Sequence, residues 1–414
     1  MEQVILVGCQ LRHVNDDVFH SSMDELASLT ETAGGMVLAA VTQKRERIEA
    51  GTYIGKGKIN ELIALEQEVE ADTIIFNDEL SPSQHLQLSK QLEAKVIDRT
   101  QLILDIFAMR ARSREGKLQV ELAQLKYMLP RLSGIGVSLS RLGGGIGTRG
   151  PGETKLETDR RYIRRRIEDI KKQLEVIVQH RERYRERRKN LEQFQMALVG
   201  YTNAGKSTLF NRLTAAESLE ENKLFATLDP LTRKCKLPNG FIPLLTDTVG
   251  FIQHLPTQLV AAFRSTLEEV RQADLIIHVI DVSHPDHRQH EKTVNNILSD
   301  LEASHIPQLI IYNKRDLLTE SFITPKNALL VSVFDNTDLE TVRMAIQEKI
   351  TEEMIPYQTQ ISAQNGKLMS LLKTQTIVIE NRYNEIDDCY EYKGYISEKS
   401  PLLNTIIDSN NLKE

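Results

Sequence analysis

Short apolar runs alternate with helical patterns along the first hundred residues. The apolar runs cover residues 4–9, 36–41, 73–76 and 96–97, and the helical patterns cover residues 24–32, 59–68 and 82–92. Strands that alternate with helices predict a small parallel sheet. Residues 1–100 are therefore expected to form an N-terminal α/β domain.

The pattern changes to long helices between residues 101 and 193. Apolar residues from Leu118 to Met128 recur at helical spacing and are followed by a glycine-rich stretch, 131–152. Eight of the 21 glycines lie between Gly134 and Gly152, a density that favours neither helix nor strand. A long, charged helical segment follows. This order predicts an antiparallel helical hairpin with a flexible, basic tip.

Alternating strands and helices resume in residues 194–355, which predicts a second α/β domain. Beyond it, residues 376–379 and 390–395 have strand patterns, and residues 366–372 have a helical one. Residues 356–414 are therefore expected to form a small α+β domain. The predicted fold class is α/β, with a nucleotide-binding type of domain following an N-terminal parallel sheet and a helical hairpin.

Composition and charge narrow the class of protein. The 414 residues are 40% hydrophobic and 27% charged, as in soluble proteins of several domains. We find no long apolar run, no secretory signal and no metal-type spacing among the three cysteines, so we expect a cytoplasmic monomer. Stable membrane insertion is not expected, and peripheral association with a membrane stays open. The net charge is -6, yet residues 110–190 hold 22 Lys and Arg against 10 Asp and Glu, which predicts a polyanion-binding surface.

A phosphate-binding loop is predicted at the start of the second α/β domain. The sequence G-x-x-x-x-G-K-S follows the apolar residues 196–199 and consists of Gly200, Tyr201, Thr202, Asn203, Ala204, Gly205, Lys206 and Ser207. Backbone N–H groups of such a loop wrap phosphates at the positive end of a helix. Lys206 is expected to reach the β- and γ-phosphates and Ser207 to ligate Mg²⁺. The alternative is an ordinary glycine-containing turn.

Two further segments are expected to respond to the γ-phosphate. An apolar strand ends in D-x-x-G, which consists of Asp247, Thr248, Val249 and Gly250. Asp247 can hold Mg²⁺ directly or through water, and the Gly250 N–H can contact the γ-phosphate. Upstream lie Phe225, Ala226, Thr227, Leu228 and Asp229, among which Thr227 is the candidate for completing the Mg²⁺ coordination. Lys206, Thr227 and Gly250 are the predicted catalytic residues.

The predicted base is guanine. A strand ends in N-K-x-D, which consists of Asn313, Lys314, Arg315 and Asp316. The Asp316 carboxylate can accept hydrogen bonds from guanine N1–H and the exocyclic amine, whereas adenine offers no such pair. The loop with Ser332 and Val333, after the last strand, is expected to contact guanine O6 through backbone N–H groups.

The predicted hydrolytic machinery is incomplete. Many GTPases place a glutamine directly after D-x-x-G to orient the attacking water, and this chain has Phe251 there. Slow intrinsic hydrolysis that a partner activates is therefore expected. Gln253 and His254 could replace the glutamine or be surface residues. Asn203 matches an asparagine that ligates K⁺ in cation-stimulated GTPases, and a hydrogen bond from Asn203 to its own backbone is the equal alternative.

These motifs give the chain a resemblance to the HflX family of translation-factor-class GTPases over nearly its full length. The diagnostic stretches are GGGIGTRGPGETK at residues 143–155 and TYIGKGK at residues 52–58. The resemblance implies a GTPase that binds the 50S ribosomal subunit and splits or rescues stalled or idle 70S ribosomes under stress such as heat. It also implies that the hairpin reaches toward the peptidyl transferase centre. In some members the N-terminal domain binds and hydrolyses ATP, so ATP is a further candidate ligand.

The basic hairpin agrees with an RNA partner, because clustered Lys and Arg are typical of phosphate-backbone binding. The candidate rRNA contacts are Arg131, Arg141, Arg149, Lys155, Arg160, Arg161, Arg164 and Arg165. A solvated, charged coiled coil with an unstructured connector is the alternative. Residues 55–58, Gly-Lys-Gly-Lys, could bind a phosphate of ATP or rRNA, or they could form a simple turn.

Two other functions are compatible with these motifs. One is a ribosome-assembly or signalling switch that recruits proteins without splitting ribosomes. The other is an ATP-dependent RNA remodelling enzyme centred on residues 1–130.

Overall fold

A computed structural model describes residues 1–140, 151–190, 194–214, 224–225, 227–252, 269–398, 400, 402–403 and 405–406. Side chains are described within these ranges except at residues 133–140, 151–156 and 181–190. The described residues form two compact units. Unit 1 contains residues 1–178 and the short segment at 224–228, and unit 2 contains the other described residues.

Unit 1 contains a four-stranded parallel sheet of order β2-β1-β3-β4. Its strands are β1 (Gln3–Leu11), β2 (Met36–Arg45), β3 (Thr73–Phe76) and β4 (Lys95–Asp98), and its first helices are α1 (Asp16–Thr32), α2 (Lys56–Val69), α3 (Pro82–Leu88) and α4 (Arg99–Arg110). The predicted parallel α/β architecture is confirmed. The central strands β1 and β3 are buried almost throughout, which explains their continuous apolar sequence.

Two long helices follow. Helix α5 (Arg114–Ser140) belongs to unit 1, and α6 begins at Pro151 in unit 1 and ends at Asn190 in unit 2. The prediction of irregular structure from residue 131 differs from this result, because α5 continues for ten residues into the glycine-rich stretch. Each glycine destabilises a helix by about 1 kcal/mol relative to alanine, and a helix already packed along its earlier turns tolerates two of them. Residues 141–150, ten of the 22 residues of the predicted loop, lie outside the described residues.

Helix α6 has a buried apolar stripe and exposed basic residues. Ile163, Ile167 and Ile170 are buried at intervals of four and three residues. Arg166 joins α6 to α5 through two hydrogen bonds to the Glu121 carboxylate, at 2.6 and 2.8 Å. This bidentate ion pair fixes the register of the two helices where they leave the rest of unit 1.

Unit 2 contains a six-stranded sheet of order β10-β9-β8-β5-β7-β6. Its strands are β5 (Gln195–Val199), β6 (Leu231–Lys234), β7 (Leu244–Asp247), β8 (Leu275–Asp281), β9 (Gln308–Asn313) and β10 (Ala328–Leu330). All are parallel except β6, which runs antiparallel to β7. The helices are α7 (Lys206–Thr214), α8 (His287–Asp300) and α9 (Asn336–Glu352). Since β5 lies between β7 and β8, the strand order reverses at its carboxyl end, where α/β proteins bind ligands.

The C-terminal part of unit 2 is a three-stranded antiparallel sheet with one helix. Strands β11 (Ile355–Ser362), β12 (Ile377–Asn384) and β13 (Cys389–Ile396) have the order β11-β13-β12, and α10 (Gly366–Gln375) connects β11 to β12. The small α+β architecture agrees with the prediction, although β11 was not predicted. In the described part of the chain, no helix combines the length and apolar character needed to cross a membrane.

Candidate nucleotide-binding site

The phosphate loop adopts backbone conformations that its sequence explains. Gly200 and Gly205 have φ angles of 153° and 91°, and a Cβ at either position would collide with Val279 O or Asn313 Nδ2. Asn203 has a φ of 59°, a left-handed conformation that asparagine tolerates better than most residues. Its exposed side chain has no hydrogen bond to any described residue. These conformations allow the phosphate loop to connect the end of β5 to the N-terminus of α7.

Lys206 is buried at the start of α7. Its Nζ donates a hydrogen bond of 2.7 Å to Tyr201 O. Burial lowers the pKa of Lys206 to about 8, and the Asp247 carboxylate opposes that shift. The lysine is therefore held inside the loop, where phosphate oxygens could replace its carbonyl partner.

Ser207 and Asp247 place two hard oxygen donors together at the carboxyl edge of the sheet. Ser207 Oγ donates to Asp247 Oδ2 at 2.8 Å, and Asp247 is buried at the end of β7. Hydroxyl and carboxylate oxygens are ligands that Mg²⁺ prefers. These two residues would suit Mg²⁺ as ligands.

The D-x-x-G segment is tied to the phosphate loop by backbone hydrogen bonds. Thr202 N donates to Phe251 O at 2.8 Å, and Phe251 N donates to Gly200 O at 3.1 Å. A Cβ at Gly250 would lie 2.8 Å from Thr202 Cα and 3.1 Å from Lys206 Nζ, so only glycine fits. Nearby, Thr248 Oγ1 donates to Leu198 O at 2.5 Å.

Phe251 is a core residue and not a surface residue of the loop. It packs in an apolar cluster with Val199, Val270 and Val294. A buried phenyl ring can neither accept a proton from water nor orient it, which agrees with the expectation of slow intrinsic hydrolysis. Gln253 and His254 lie outside the described residues.

The predicted switch segment is described within unit 1. Phe225 is buried, with its ring edge-on to Phe107 at a centroid distance of 4.7 Å, and Leu224 N donates to Thr32 Oγ1 at 3.3 Å. Thr227 is half-buried. Its role in Mg²⁺ coordination stays a prediction, and Ala226 lies outside the described residues.

Asn313 joins three loops at the base-recognition end. Its Nδ2 donates to Ala204 O at 2.9 Å, and its Oδ1 accepts from Val333 N at 3.1 Å. Lys314 is held by an ion pair with Asp281 at 2.6 Å. Asp316 is exposed, so its carboxylate is accessible to a guanine base.

The N–H groups predicted to meet guanine O6 already donate within the protein. Ser332 N donates to Asp338 Oδ2 at 2.7 Å, and Val333 N donates to Asn313 Oδ1. A contact of guanine O6 with either group would require one of these bonds to break. The contact of Ser332 N or Val333 N with guanine O6 therefore stays a prediction, and the two internal hydrogen bonds do not favour it.

Sequence reasoning missed the carboxylates that brace the base-recognition loop. Asp281 holds Lys314, and Arg315 pairs with Asp335 at 3.2 Å and with Asp338 at 3.0 Å. A signal for Asp281 was available, since it ends a parallel strand as Asp247 and Asn313 do. For the two carboxylates after β10 the sequence contains no comparable signal.

Arg131 is a correction to the predicted RNA contacts. Its side chain is only 10% exposed, its Nη2 donates to Leu80 O at 2.7 Å and to Asp98 Oδ2 at 3.2 Å, and its guanidinium lies over the Tyr127 ring. The side chain is half-buried because α5 is still packed against α3 and α4, so Arg131 balances the buried Asp98 carboxylate. Among the other candidates, Arg161, Arg164 and Arg165 are exposed on α6 and Arg160 is half-buried. Arg141, Arg149 and the Lys155 side chain lie outside the described residues.

Residues 52–58 have a structural explanation. Tyr53 is buried, its hydroxyl donates to Asp78 and accepts from Cys9 N at 3.0 Å, and Gly55 N donates to Gln43 Oε1 at 2.9 Å. A Cβ at Gly55 would collide with the Arg45 guanidinium. These contacts favour the simple turn over a second nucleotide site.

Family models and curated relatives match most of this chain. Successive parts match family models described as GTP-binding GTPase N-terminal (residues 20–108), GTP-binding GTPase Middle Region (residues 110–188) and 50S ribosome-binding GTPase (residues 195–314). The GTPase HflX of Alkalihalophilus pseudofirmus is 55% identical, over 97% of this chain and 95% of that protein. The chain belongs to the HflX GTPase family.

Other HflX relatives and one solved structure extend the comparison. The GTPase HflX of Caldanaerobacter subterraneus is 50% identical, over 93% of this chain and 89% of that protein. The crystal structure of SsGBP in complex with GDP covers 85% of this chain and 99% of its own, with 26% identity and a TM-score of 0.49. Membership of the HflX family confirms the resemblance found in the sequence and implies guanine-nucleotide binding and GTP hydrolysis. HflX GTPases generally use Mg²⁺, for which Ser207 and Asp247 are suitable ligands.

Proposed function

We propose that this HflX-family GTPase binds the 50S ribosomal subunit and splits or rescues stalled or idle 70S ribosomes under stress such as heat. The observation that carries the proposal is the exposed basic surface of α6, which we call the arginine face. It consists of Arg161, Arg164 and Arg165. A family model described as 50S ribosome-binding GTPase matches residues 195–314 of the same chain.

The arginine face suits an RNA backbone better than an acidic protein surface. Arg161, Arg164 and Arg165 recur at intervals of three and four residues or are adjacent, so they form one patch along one side of α6. Their hydrophobic neighbours, Ile163 and Ile167, face inward. Arginine forks bind phosphate oxygens bidentately, and each neutralised phosphate releases counterions, which makes binding sensitive to salt.

GTP binding and hydrolysis at the nucleotide site drive the proposed splitting of ribosomes. The phosphate loop and Lys206 would bind the β- and γ-phosphates, Ser207, Asp247 and Thr227 would hold Mg²⁺, and the Gly250 N–H would contact the γ-phosphate. Bound Mg²⁺ neutralises charge that develops on the phosphate oxygens. Since Phe251 stands where a water-orienting glutamine would be, hydrolysis depends on groups that the ribosome supplies or on a rearrangement that it causes.

K⁺ is proposed as a second cation at Asn203. The exposed side chain of Asn203 projects from a left-handed position in the phosphate loop, beside the site of the phosphates. An ion there would neutralise phosphate charge as an arginine finger does. GTP turnover should then be faster in K⁺ than in Na⁺ buffer, and equal rates would contradict this part of the proposal.

Co-sedimentation with purified 30S, 50S and 70S particles tests the ribosomal partner. With a non-hydrolysable GTP analogue we expect binding to 50S, and weaker binding with GDP. Replacement of Arg161, Arg164 and Arg165 by alanine should weaken it and lower the salt dependence by about one unit of slope per lost phosphate contact. Alanine at Arg271, Arg288 and Arg382, which are exposed in unit 2, is the matched control. Association with 30S alone, or full binding by the α6 variant, would contradict the proposal.

A splitting assay separates the proposed role from a switch that only recruits proteins. Sucrose gradients of 70S particles incubated with protein and GTP should show free subunits. Deletion of residues within 141–150 should abolish splitting while GTP binding survives, because the hairpin tip is assigned to the ribosomal cavity. Splitting that survives the deletion contradicts this assignment. ATPase activity that survives Lys206→Ala and Asp316→Asn would favour the alternative of ATP-dependent RNA remodelling through unit 1.

A further inference from the structure

Tyr201, the second residue of the phosphate loop, is stacked face to face on His290 of α8. The two ring centroids are 3.7 Å apart and the ring planes differ by 4°. Both side chains are buried. His284 also lies beside His290, at a centroid distance of 4.5 Å and with the ring planes tilted by 42°. A contact outside the nucleotide motifs therefore fixes the first turn of the phosphate loop.

The backbone around Tyr201 makes contacts that the nucleotide site needs. Tyr201 O accepts the hydrogen bond from Lys206 Nζ. The neighbouring groups Gly200 O and Thr202 N bond to the backbone of Phe251, at 3.1 and 2.8 Å. A contact that fixes the Tyr201 ring thus restrains Lys206. It also restrains the backbone hydrogen bonds between the phosphate loop and the D-x-x-G segment.

The His290 ring is suited to an uncharged stack. Burial lowers the pKa of His290 to about 4, and His284 shifts it in the same direction, while Asp286 and Asp281 oppose the shift. His290 is therefore neutral at neutral pH. A phenyl ring at this position should stack on Tyr201 in much the same way, whereas an alanine would leave the buried tyrosine without a partner on that face.

We infer that His290 is a positioning residue for nucleotide binding, which holds the phosphate loop in its binding conformation by stacking on Tyr201. Asn313 restrains the other end of the loop through Ala204 O. The loop is thus held from α8 at its first turn and from β9 at its last turn. Preorganisation of this kind increases affinity, because less conformational freedom is lost when the ligand binds. The inference rests on guanine-nucleotide binding alone and is independent of any ribosomal partner.

The release of a fluorescent GDP analogue measures the effect. His290→Ala should speed dissociation by about three- to tenfold, the range expected for loss of one aromatic pair. The kcat/KM for GTP should fall by a similar factor, while kcat at saturating GTP stays within about twofold, because bound phosphates order the loop. Unchanged dissociation in His290→Ala would overturn the inference.

Two control variants distinguish positioning from simple destabilisation. His290→Phe keeps a flat ring and should restore dissociation to within about twofold of the original rate. Leu298→Ala removes a buried side chain two turns further along the same helix and should lower stability without speeding nucleotide release. If His290→Phe releases nucleotide as fast as His290→Ala, or if Leu298→Ala has the same effect, the stack is structural only. A double-mutant cycle with Tyr201→Ala should show that the two losses are not additive.

Discussion

Single side chains connect the phosphate loop to the loops that are predicted to recognise the base. Asn313 bonds to the phosphate loop at Ala204 and to the loop after β10 at Val333, and Lys314 is anchored by Asp281. These residues leave Asp316 exposed for the base while its neighbours are fixed. Asn313 therefore connects the candidate phosphate loop to the loop that follows β10.

Replacement of the base-recognising carboxylate should change the preferred nucleotide. Asp316→Asn exchanges one acceptor for an N–H donor, which repels the exocyclic amine of guanine and suits the C2 carbonyl that xanthine has in its place. We expect GDP affinity to fall by about a hundredfold, the equivalent of roughly 3 kcal/mol for hydrogen bonds to a charged group. Competition of fluorescent GDP with XDP measures the change. A variant that keeps its preference for GDP would show that Asp316 does not contact the base.

Nucleotide binding should be coupled to proton uptake by Lys206. Its pKa is about 8 in the nucleotide-free protein, below the ordinary value of 10.5, and phosphates favour the charged form. At pH 8 about half of the lysines are neutral, so GDP binding should take up about half a proton. Calorimetry in two buffers of different ionisation enthalpy detects this uptake, which should vanish near pH 6.5.

The lowered pKa of Lys206 also determines how the stability of the folded protein changes with pH. The folded state binds fewer protons at Lys206 than the unfolded state between about pH 8 and pH 10.5. This residue therefore makes the nucleotide-free protein more stable as pH rises through that window. Absence of proton uptake at pH 8 would show that the amine is already fully charged before nucleotide binds.

At the scale of helices and strands, hydrophobic periodicity predicted most elements. It failed where a polar or glycine-rich sequence nevertheless forms a strand or a helix. Strand β11 alternates buried and exposed positions, but its sequence IPYQTQIS is largely polar and has proline second. Helix α5 extends into a glycine-rich sequence because its earlier turns are packed. In both cases tertiary contacts supply what local preference lacks.

Replacement of the ion-paired Arg131 and of the exposed Arg161 should have different effects on the free energy of unfolding. Arg131→Ala removes the cation that pairs with the buried Asp98 carboxylate, so the free energy of unfolding of unit 1 should fall by about 3 kcal/mol. Arg161→Ala, at an exposed position, should change it by less than about 0.5 kcal/mol. Chemical denaturation measures both. Equal effects on stability would contradict the assignment of Arg131 to the core.

Across the whole molecule, sequence motifs predicted the family and a set of candidate nucleotide-binding residues, but not the residues that brace them. Lys206, Ser207 and Asp247 come together as their motifs require. The partners Asp281 and His290 could not be assigned, because they lie far along the chain from Lys314 and Tyr201 and belong to no motif. Long-range pairing of this kind depends on the fold, which a single sequence shows only indirectly.

The central claim is that the large ribosomal subunit switches on a GTPase that has Phe251 in place of the usual water-orienting glutamine. GTP turnover measured with no ribosomal particle, with purified 30S and with purified 50S subunits tests it most directly. We expect slow turnover alone and with 30S, and stimulation by 50S of at least about a hundredfold, as activating partners give to GTPases with incomplete sites. Turnover that is already fast without ribosomes, or that 50S subunits leave unchanged, would contradict the account.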